Sequence, residues 1–295
     1  MRMFENRIKL LYGKLFGGGI WKVAFKKRDK NGEYTLVEAP EGTWIADPLL
    51  FEFDNEHYLF VEVFERNKNK GSIGYYHFIN NKPVFQGIVI EQSFHMSYPC
   101  IFLWHGNHYM IPESAAGNTL NLYKAEQFPD KWVLEKRLIN GEKYVDTTIV
   151  EKDGKLYALS YHTVGKKWAL SVFLLDMETK ELIRLHEKEY SANIGRPAGY
   201  VLNDKWLRPA QDCSTLYGES IIWYQIDQID SDDYREHSVK RTSVTDLRIQ
   251  GADRVHTYSR DSEYEAVDVR YGKFDLLHGL RSIQRALAGK NESKK

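Results

Sequence analysis

Three stretches of the chain repeat one pattern of apolar and polar positions: WIADPLLFEFDNEHYLFVEVF (44–64), MSYPCIFLWHGNHYMIPESAA (96–116) and YVDTTIVEKDGKLYALSYHT (144–163). Each opens on a small or polar residue beside Pro or Thr and runs through large apolar residues. Each then reaches DNE, HGN or DGK before a second apolar run that starts near a shared tyrosine, Tyr58, Tyr109 or Tyr157. Apolar runs flanking a short Asn-, Asp- or Gly-bearing turn predict strand, turn, strand. A fourth copy, IGRPAGYVLNDKWLRPAQD (194–212), keeps the spacing with Trp206 at the tyrosine position, and a fifth, VHTYSRDSEYEAVDVRY (255–271), is shorter and looser.

Equivalent positions at the start of the five copies are Asp47, Tyr98, Asp146, Arg196 and His256, separated by 51, 48, 50 and 60 residues. That period, with further strand-like runs such as SIGYYHFI, LNLYKAE, LSVFLLD, ESIIWYQI and WVLEKRLI between the copies, matches one four-stranded propeller blade per repeat. The predicted fold is all-β, a five-bladed β-propeller over residues 20–272. The strand IWKVAFKKR (20–28) has no blade of its own, and pairing with the short last blade would close the ring and remove an exposed sheet edge. Short helical extensions flank the propeller, an N-terminal one over 1–19 and an amphipathic C-terminal helix with a frayed tail over 273–295.

Composition narrows the function. At 295 residues one closed all-β domain is expected rather than two. The 41 basic and 41 acidic side chains balance, so no field favours nucleic acid. Cys100 and Cys213 are the two cysteines, too few for a disulfide framework or a four-ligand zinc site; with no signal-like apolar run at the N-terminus, this predicts a cytoplasmic protein. Phe4, Ile8, Leu11, Leu15 and Phe16 alternate with Arg2, Arg7, Lys9 and Lys14. That spacing fits a short helix on the domain's own edge, and also a peripheral contact with the anionic inner face of a membrane. His95, His105, His108 and His162 lack metal-site spacing, and Gly17 to Gly19 lack a phosphate-loop context and read as a flexible hinge. Neither a metal nor a cofactor is expected.

In a propeller the first strand of each blade lines the central channel, so residues at the starts of equivalent strands meet around one axis. Asp47, Tyr98, Asp146, Arg196 and His256 are therefore expected to converge, joined by Glu62, Glu113, His162, Asp212 and Asp268 from the ends of the second strands. Taken singly, an acidic residue beside a turn or Pro equally often caps local backbone. Taken together, so many ionisable groups must be paired or solvated to offset desolvation, which a purely structural core has little reason to demand. Two carboxylates facing one pocket, one a base and one kept protonated, is the arrangement that cleaves glycosidic bonds. Asp47, Asp146 and Glu113 are the candidate catalytic residues, with Glu62 the rival acid to Glu113. Trp44, Glu62, Tyr98, His162, Arg196, Arg208, Asp212 and His256 are candidate ligand-binding residues. Arg196 and Arg208 would depress a carboxylate's pKa or clamp an acidic or nucleotide-linked sugar.

The run of WIADP, HMSYPCIFLWHGNHYMIPES, FPDKWVLEKRLI, YVDTTIV, GRPAGYV and RPAQDCS resembles the N-terminal domain family of plant glucosamine inositolphosphorylceramide transferase and its bacterial relatives, over about residues 20–270. That family in turn is similar to the five-bladed propeller glycoside hydrolases of the arabinanase and β-xylosidase group. The resemblance implies Asp47 as catalytic base and Asp146 as the aspartate that modulates the acid's pKa. The hydrolases' general acid belongs to a later blade, where this sequence has GRPAG, so Glu113 is assigned on local grounds. The expected function is an enzyme acting at a glycosidic linkage, by hydrolysis or transfer, in assembly or modification of a surface polysaccharide or glycolipid. The other reading is a non-catalytic module that binds a glycan or nucleotide-sugar and positions a partner polysaccharide-assembly enzyme.

Overall fold

The computed structural model describes residues 17–28, 32–165 and 167–274. Both expected terminal helices, apart from residues 17–19 and 273–274, lie outside these residues. Among the described residues, twenty strands form five four-stranded antiparallel sheets. Blade 1 contains β3 (Thr43–Phe53), β4 (Glu56–Glu65), β5 (Lys70–Ile79) and β6 (Lys82–Ile90). Blade 2 contains β7 (Ser97–Trp104), β8 (Asn107–Glu113), β9 (Thr119–Gln127) and β10 (Lys131–Asn140). Blade 3 contains β11 (Val145–Lys152), β12 (Lys155–Val164), β13 (Lys167–Asp176) and β14 (Glu181–Tyr190). Blade 4 contains β15 (Ile194–Pro197), β16 (Leu207–Asp212), β17 (Ser220–Ile229) and β18 (Tyr234–Thr242).

Blade 5 joins the two ends of the described chain. Its order is β19 (Arg254–Arg260), β20 (Tyr264–Phe274), β1 (Gly17–Lys27) and β2 (Thr35–Leu36). The expected closure is therefore observed: β1 pairs antiparallel with β20 along its full length, from Gly17 opposite Phe274 to Lys27 opposite Tyr264. The propeller strands run three residues before and two beyond the expected limits of 20 and 272. Gly17 to Gly19 form the first residues of this closing strand and not a hinge. A Cβ on Gly19 would stand 2.5 Å from the Arg270 Nε, so the bare backbone makes room for that side chain.

Local chemistry explains the blades. The inner hairpins turn through Asp54–Asn55, His105–Gly106 and Asp153–Gly154, all with positive φ, the geometry that tight two-residue hairpins require. Inner strands are buried on both faces, whereas outer strands such as β6 and β14 alternate exposed and half-buried positions. Apolar side chains pack between adjacent blades, as where Leu49 of blade 1, Cys100 and Ile111 of blade 2 and Ile149 of blade 3 share one cluster. The shortest inner strand, β15, belongs to blade 4.

A repeated irregularity organises the axis. The pairing of each inner strand with its neighbour slips at one place: between Ala46 and Leu49, Ser97 and Cys100, Val145 and Thr148, Ile194 and Arg196, and Val255 and Tyr258. The first bulged residue is left-handed in four blades: Asp47 (φ 49°), Tyr98 (φ 45°), Asp146 (φ 49°) and Gly195 (φ 87°). L-residues adopt this region at a cost, so the surrounding contacts must enforce it. By register the blade 4 equivalent of Asp47 is Gly195, one residue before the Arg196 that the repeat spacing selects.

Gly199 shows how tightly the axis is filled. Its φ is +133°, and an added Cβ would stand 1.8 Å from the Tyr258 carbonyl oxygen of the next blade. Gly199→Ala should lower stability by about 2 kcal/mol or more through forced separation of blades 4 and 5. A thermal or urea melt indistinguishable from that of the parent protein would contradict this account of the blade 4 to blade 5 contact.

Candidate functional site

The bulges turn side chains toward the axis, and hydrogen bonds across blade boundaries fix them. Asp47 is buried, and its Oδ2 accepts from Tyr98 N–H at 3.3 Å while its Oδ1 accepts from the Thr257 hydroxyl at 2.9 Å. Its own N–H donates to Asp268 Oδ2 at 2.9 Å. Asp268 Oδ1 accepts from the N–H groups of His256 and Thr257 at 3.2 and 2.8 Å and faces His256 Nδ1 at 2.7 Å. One carboxylate of blade 5 thereby holds the backbone of both the first and the last inner strands.

Blades 2, 3 and 4 meet through a second group. The two nitrogens Nε and Nη2 of Arg196 fork onto Asp146, and Nη2 also donates to Glu113 Oε2 at 3.0 Å. Gln211 Nε2 donates to Asp146 Oδ2 at 2.7 Å and to the Pro197 carbonyl at 3.2 Å. A bidentate Arg–carboxylate pair is strong and directional, so it fixes Asp146 in place and orients the guanidinium beneath the ring of Tyr217, 5.8 Å away.

Five carboxylates, Asp47, Glu62, Glu113, Asp146 and Asp268, thus share the axis with Arg196 and His256. Full ionisation would leave a net charge of −3 in a site where water is largely excluded. Burial pushes Asp47 up from 3.8 to about 6; His256 and Arg196 oppose the rise, while Asp146 and Asp268 add to it. Burial, then the negative charges of Asp47 and Glu113, holds Glu62 well above the carboxylate range. Burial and Asp146 likewise raise Glu113, against the pull of Arg196. Burial disfavours a charged His256, but Asp268, Asp47 and Asp146 outweigh it and raise the imidazole.

The expected residues divide into those at the axis and those elsewhere. Asp47, Glu62, Glu113, Asp146, Arg196 and His256 are brought together. Tyr98 is fully buried and braces the ring: its hydroxyl accepts from Gly199 N–H at 2.6 Å and lies 2.7 Å from Thr148 Oγ1. Trp44 stands half-buried, stacked on Phe64 with ring centres 4.4 Å apart. His162 is displaced, because Tyr161 is the residue opposite Val145, the register position of Glu62 and Glu113; alternation turns His162 to Glu187 and Ser171 at 3.1 and 2.9 Å.

Arg208 and Asp212 also depart from expectation. Arg208 is completely buried between strands, with Nε and Nη2 each 2.8 Å from the carboxylate of Glu236 and Nη1 2.9 Å from the Gly195 carbonyl. It anchors the bulge from behind and presents no donor to a ligand there. Although burial opposes ionisation of Glu236, Arg208 brings it down to about 2. Asp212 pairs with Arg241 and accepts from Ser214 N–H at 3.0 Å and Ser214 Oγ at 2.7 Å, a contact within its own blade.

Trp21, Thr257, Gln211, His95 and Tyr217 complete the site without having been expected. Trp21, on the closing strand, stacks on His256 at 4.0 Å and 14°, and Tyr217 meets the same imidazole edge-on at 5.2 Å. The closing strand was legible, but nothing in IWKVAFKKR marks Trp21 as axial. Asp47, His256 and Asp268 offer atoms within 4.8 Å of one another, as a cation site would. Each of these groups already has hydrogen-bond partners in the ring, so their chemistry accounts for their position without an ion.

Comparison with known proteins agrees with this architecture. Exo-β-1,3-galactanase of Phanerochaete chrysosporium superposes with a TM-score of 0.57 at 11% identity, covering 88% of this chain and 63% of that one. Zg3597, a family 117 glycoside hydrolase of Zobellia galactanivorans, superposes with a TM-score of 0.53 at 12% identity, covering 89% and 92%. At such identities the likeness is one of fold. Sequence likeness reaches further: glucosamine inositolphosphorylceramide transferase 1 of Oryza sativa subsp. japonica is 30% identical over 234 residues. That match covers 73% of this chain and 30% of the rice protein, so the chain spans less than a third of that relative's length. The family described as glucosamine inositolphosphorylceramide transferase 1, N-terminal, matches residues 35–254, which hold Asp47, Glu62, Glu113, Asp146 and Arg196 of the axial ring but not His256, Thr257 and Asp268 of blade 5. The chain is a member of this N-terminal domain family.

Proposed function

We propose that the axial pocket binds a sugar and acts at its glycosidic linkage, by hydrolysis or transfer, during assembly or modification of a surface glycan or glycolipid. The observation that carries this reading is the excess of carboxylates over cations converging on the propeller axis. Such a cluster is costly to a fold and useful to a reaction that needs one carboxylate as base and one carboxyl as acid. Asp47, with Thr257 and Tyr98 N–H fixing both oxygens, would serve as base or as stabiliser of a developing oxocarbenium ion. Asp146 and Arg196 would orient the opposite wall.

The rim supplies apolar faces for a sugar ring. Trp44 and Phe64 form one stacked pair, and Tyr217, 46% exposed, covers Arg196 on another side. The name of the curated relatives, a glucosamine inositolphosphorylceramide transferase, is consistent with a sugar-bearing ligand. One observation favours binding without turnover: the blade 4 inner strand β15 offers Gly195 and Arg196 but no carboxyl. In that reading the domain holds a glycan or nucleotide-sugar for a partner enzyme.

Asp47→Asn should abolish turnover of a glycan or glycoside while leaving the circular dichroism spectrum intact. Sugar binding with no turnover by the parent protein would favour the binding module, and full activity in the variant would remove Asp47 from the reaction. As a base must be ionised, the rate of the parent should rise with pH and level off above an inflection near 6. The same elevation costs stability: native Asp47 binds its proton more tightly than the unfolded chain, so this contribution falls as pH rises from about 4 to about 6. Asp47→Asn should lack that component in urea titrations run at both ends of the window.

Arg196→Met should leave Asp146 and Glu113 without their shared cation, with a loss of about 3 kcal/mol near pH 7. The loss should shrink toward pH 4, where the abandoned carboxylates can be neutralised by protons. Equal destabilisation at both pH values would show that the guanidinium acts by packing and not by charge.

A further inference from the structure

Glu62 and Glu113 occupy the same register position in successive blades, opposite Ala46 and Ser97, yet their surroundings differ in one decisive respect. Glu113 is tied to Arg196 at 3.0 Å and shares that cation with Asp146. Glu62 has no cationic side chain within hydrogen-bonding distance among the described residues, is 5% exposed, and its Oε1 is buried without a hydrogen bond. A buried carboxylate in that position is among the most costly groups a fold can hold; a carboxylic acid is far less so.

The neighbour of Oε1 is His95, whose Nε2 lies 3.5 Å away. The protonation of this histidine follows from its other nitrogen. Gly71 N–H donates to His95 Nδ1 at 2.9 Å, so Nδ1 must present a lone pair and the ring proton must sit on Nε2, facing Glu62. Charging the imidazole would set an Nδ1 proton against the Gly71 proton, and burial also disfavours the charged ring. His95 is therefore a fixed neutral donor at the pocket rim, its side chain 34% exposed. Gly71 is required for this arrangement, because a Cβ there would stand 2.6 Å from Glu62 Oε1 and 2.8 Å from His95 Cε1.

Resting on the glycosidic reading above, we infer that Glu62 is the proton donor of the pocket and that His95, locked by the Gly71 N–H, is its positioning residue. In the step this implies, the Glu62 carboxyl gives its proton to the glycosidic oxygen as the bond from that oxygen to the anomeric carbon breaks. The electron pair stays on the leaving oxygen, and Glu62 is left as a carboxylate. Water, or an acceptor hydroxyl in a transfer, then adds to the anomeric carbon and gives its proton to Asp47, and exchange with solvent returns Asp47 to the carboxylate and Glu62 to the acid. The proton donor would thus stand on blade 1 beside the base, on the adjacent strand.

Two measurements test this, and they fail separately. Infrared spectroscopy at pH 7 should show a protonated-carboxyl stretch that loses one component in Glu62→Gln, a variant close in size to the acid it replaces. Survival of the full band would overturn the assignment whether or not any turnover exists. Kinetics should then compare 2,4-dinitrophenyl and 4-nitrophenyl glycosides with methyl glycosides of the same sugars, drawn from a panel of hexosides and pentosides. Glu62→Gln should retain at least a tenth of the parent rate on the dinitrophenyl leaving group, which needs no proton, and lose more than 100-fold on the methyl glycoside. A uniform loss, or the same leaving-group pattern in Glu113→Gln instead, would overturn the inference. His95→Ala should show a weaker form of the pattern that His95→Gln rescues; an equal fall on every leaving group would reduce His95 to a structural role. No turnover of any glycoside by the parent would sink the glycosidic reading and the donor role with it, and the infrared band would still decide whether Glu62 holds a proton.

Discussion

The axis of this propeller is held by hydrogen bonds that cross every blade boundary, and nearly all of them begin at the bulge of an inner strand. Asp268 of blade 5 accepts from Asp47 N–H of blade 1, and Asp47 accepts from Tyr98 N–H of blade 2. Tyr98 reaches Thr148 of blade 3 and Gly199 of blade 4, and Asp146 of blade 3 binds Arg196 and Gln211 of blade 4. Tyr258 N–H donating to the Ala198 carbonyl at 2.7 Å completes the circuit between blades 4 and 5. Left-handed backbone at Asp47, Tyr98 and Asp146 would be unfavourable in isolation; each is stabilised because the next blade receives what the bulge presents.

That constraint also generates the chemistry. Acceptors that knit five separate sheets must sit where backbone N–H groups converge, and carboxylates do this best because each offers several lone pairs. Asp268 alone accepts from three backbone N–H groups and one imidazole. Burial of these gathered carboxylates, reinforced by their mutual repulsion, raises proton affinity at Asp47, Glu62 and Glu113. Closure of the ring and a supply of poised acids and bases are two consequences of one arrangement.

How much of this could be read from the chain depends on whether the signal is periodic. Blade count, hairpin turns, the closing strand and the convergence of Asp47, Asp146 and Glu113 all follow from apolar alternation and a repeat near 50 residues, which survive small errors of alignment. Register does not. In β12 a one-residue error exchanged the buried Tyr161 for the outward His162. In blade 4 Gly195 alone is unpaired and Arg196 pairs with Gln211, where the other blades leave two inner residues facing one, so Gly195 takes the position that Asp47 holds and Arg196 enters from the next one. Arg208 reads as a ligand clamp because its position in the repeat puts fixed positive charge near the axis; its partner Glu236 lies 28 residues away on an outer strand, a pairing no local pattern announces.

Blade 4 gives the pocket its polarity. Replacing a side chain by Gly195 at the bulge removes one carboxylate position, and the Arg208–Glu236 pair behind it fixes the Gly195 carbonyl so that the following residue can point Arg196 across the axis. The cation therefore stands opposite Glu113 and Asp146, and its charge is consumed on the side of blades 2 and 3. Its hydrogen bonds do not reach blade 1, where it acts on Asp47 only through space. Asp47 answers to His256 and Thr257, and Glu62 to a neutral histidine. A sugar bound across the axis as proposed would meet a wall without an arginine on the blade 1 side and the Arg196 pair on the other, its ring against Trp44 and Phe64 and its hydroxyls toward Arg196 and Glu113. In the proposed reaction, the asymmetry between the two halves, more than the number of acidic groups, would decide which side of a ligand is given a proton and which side is only held.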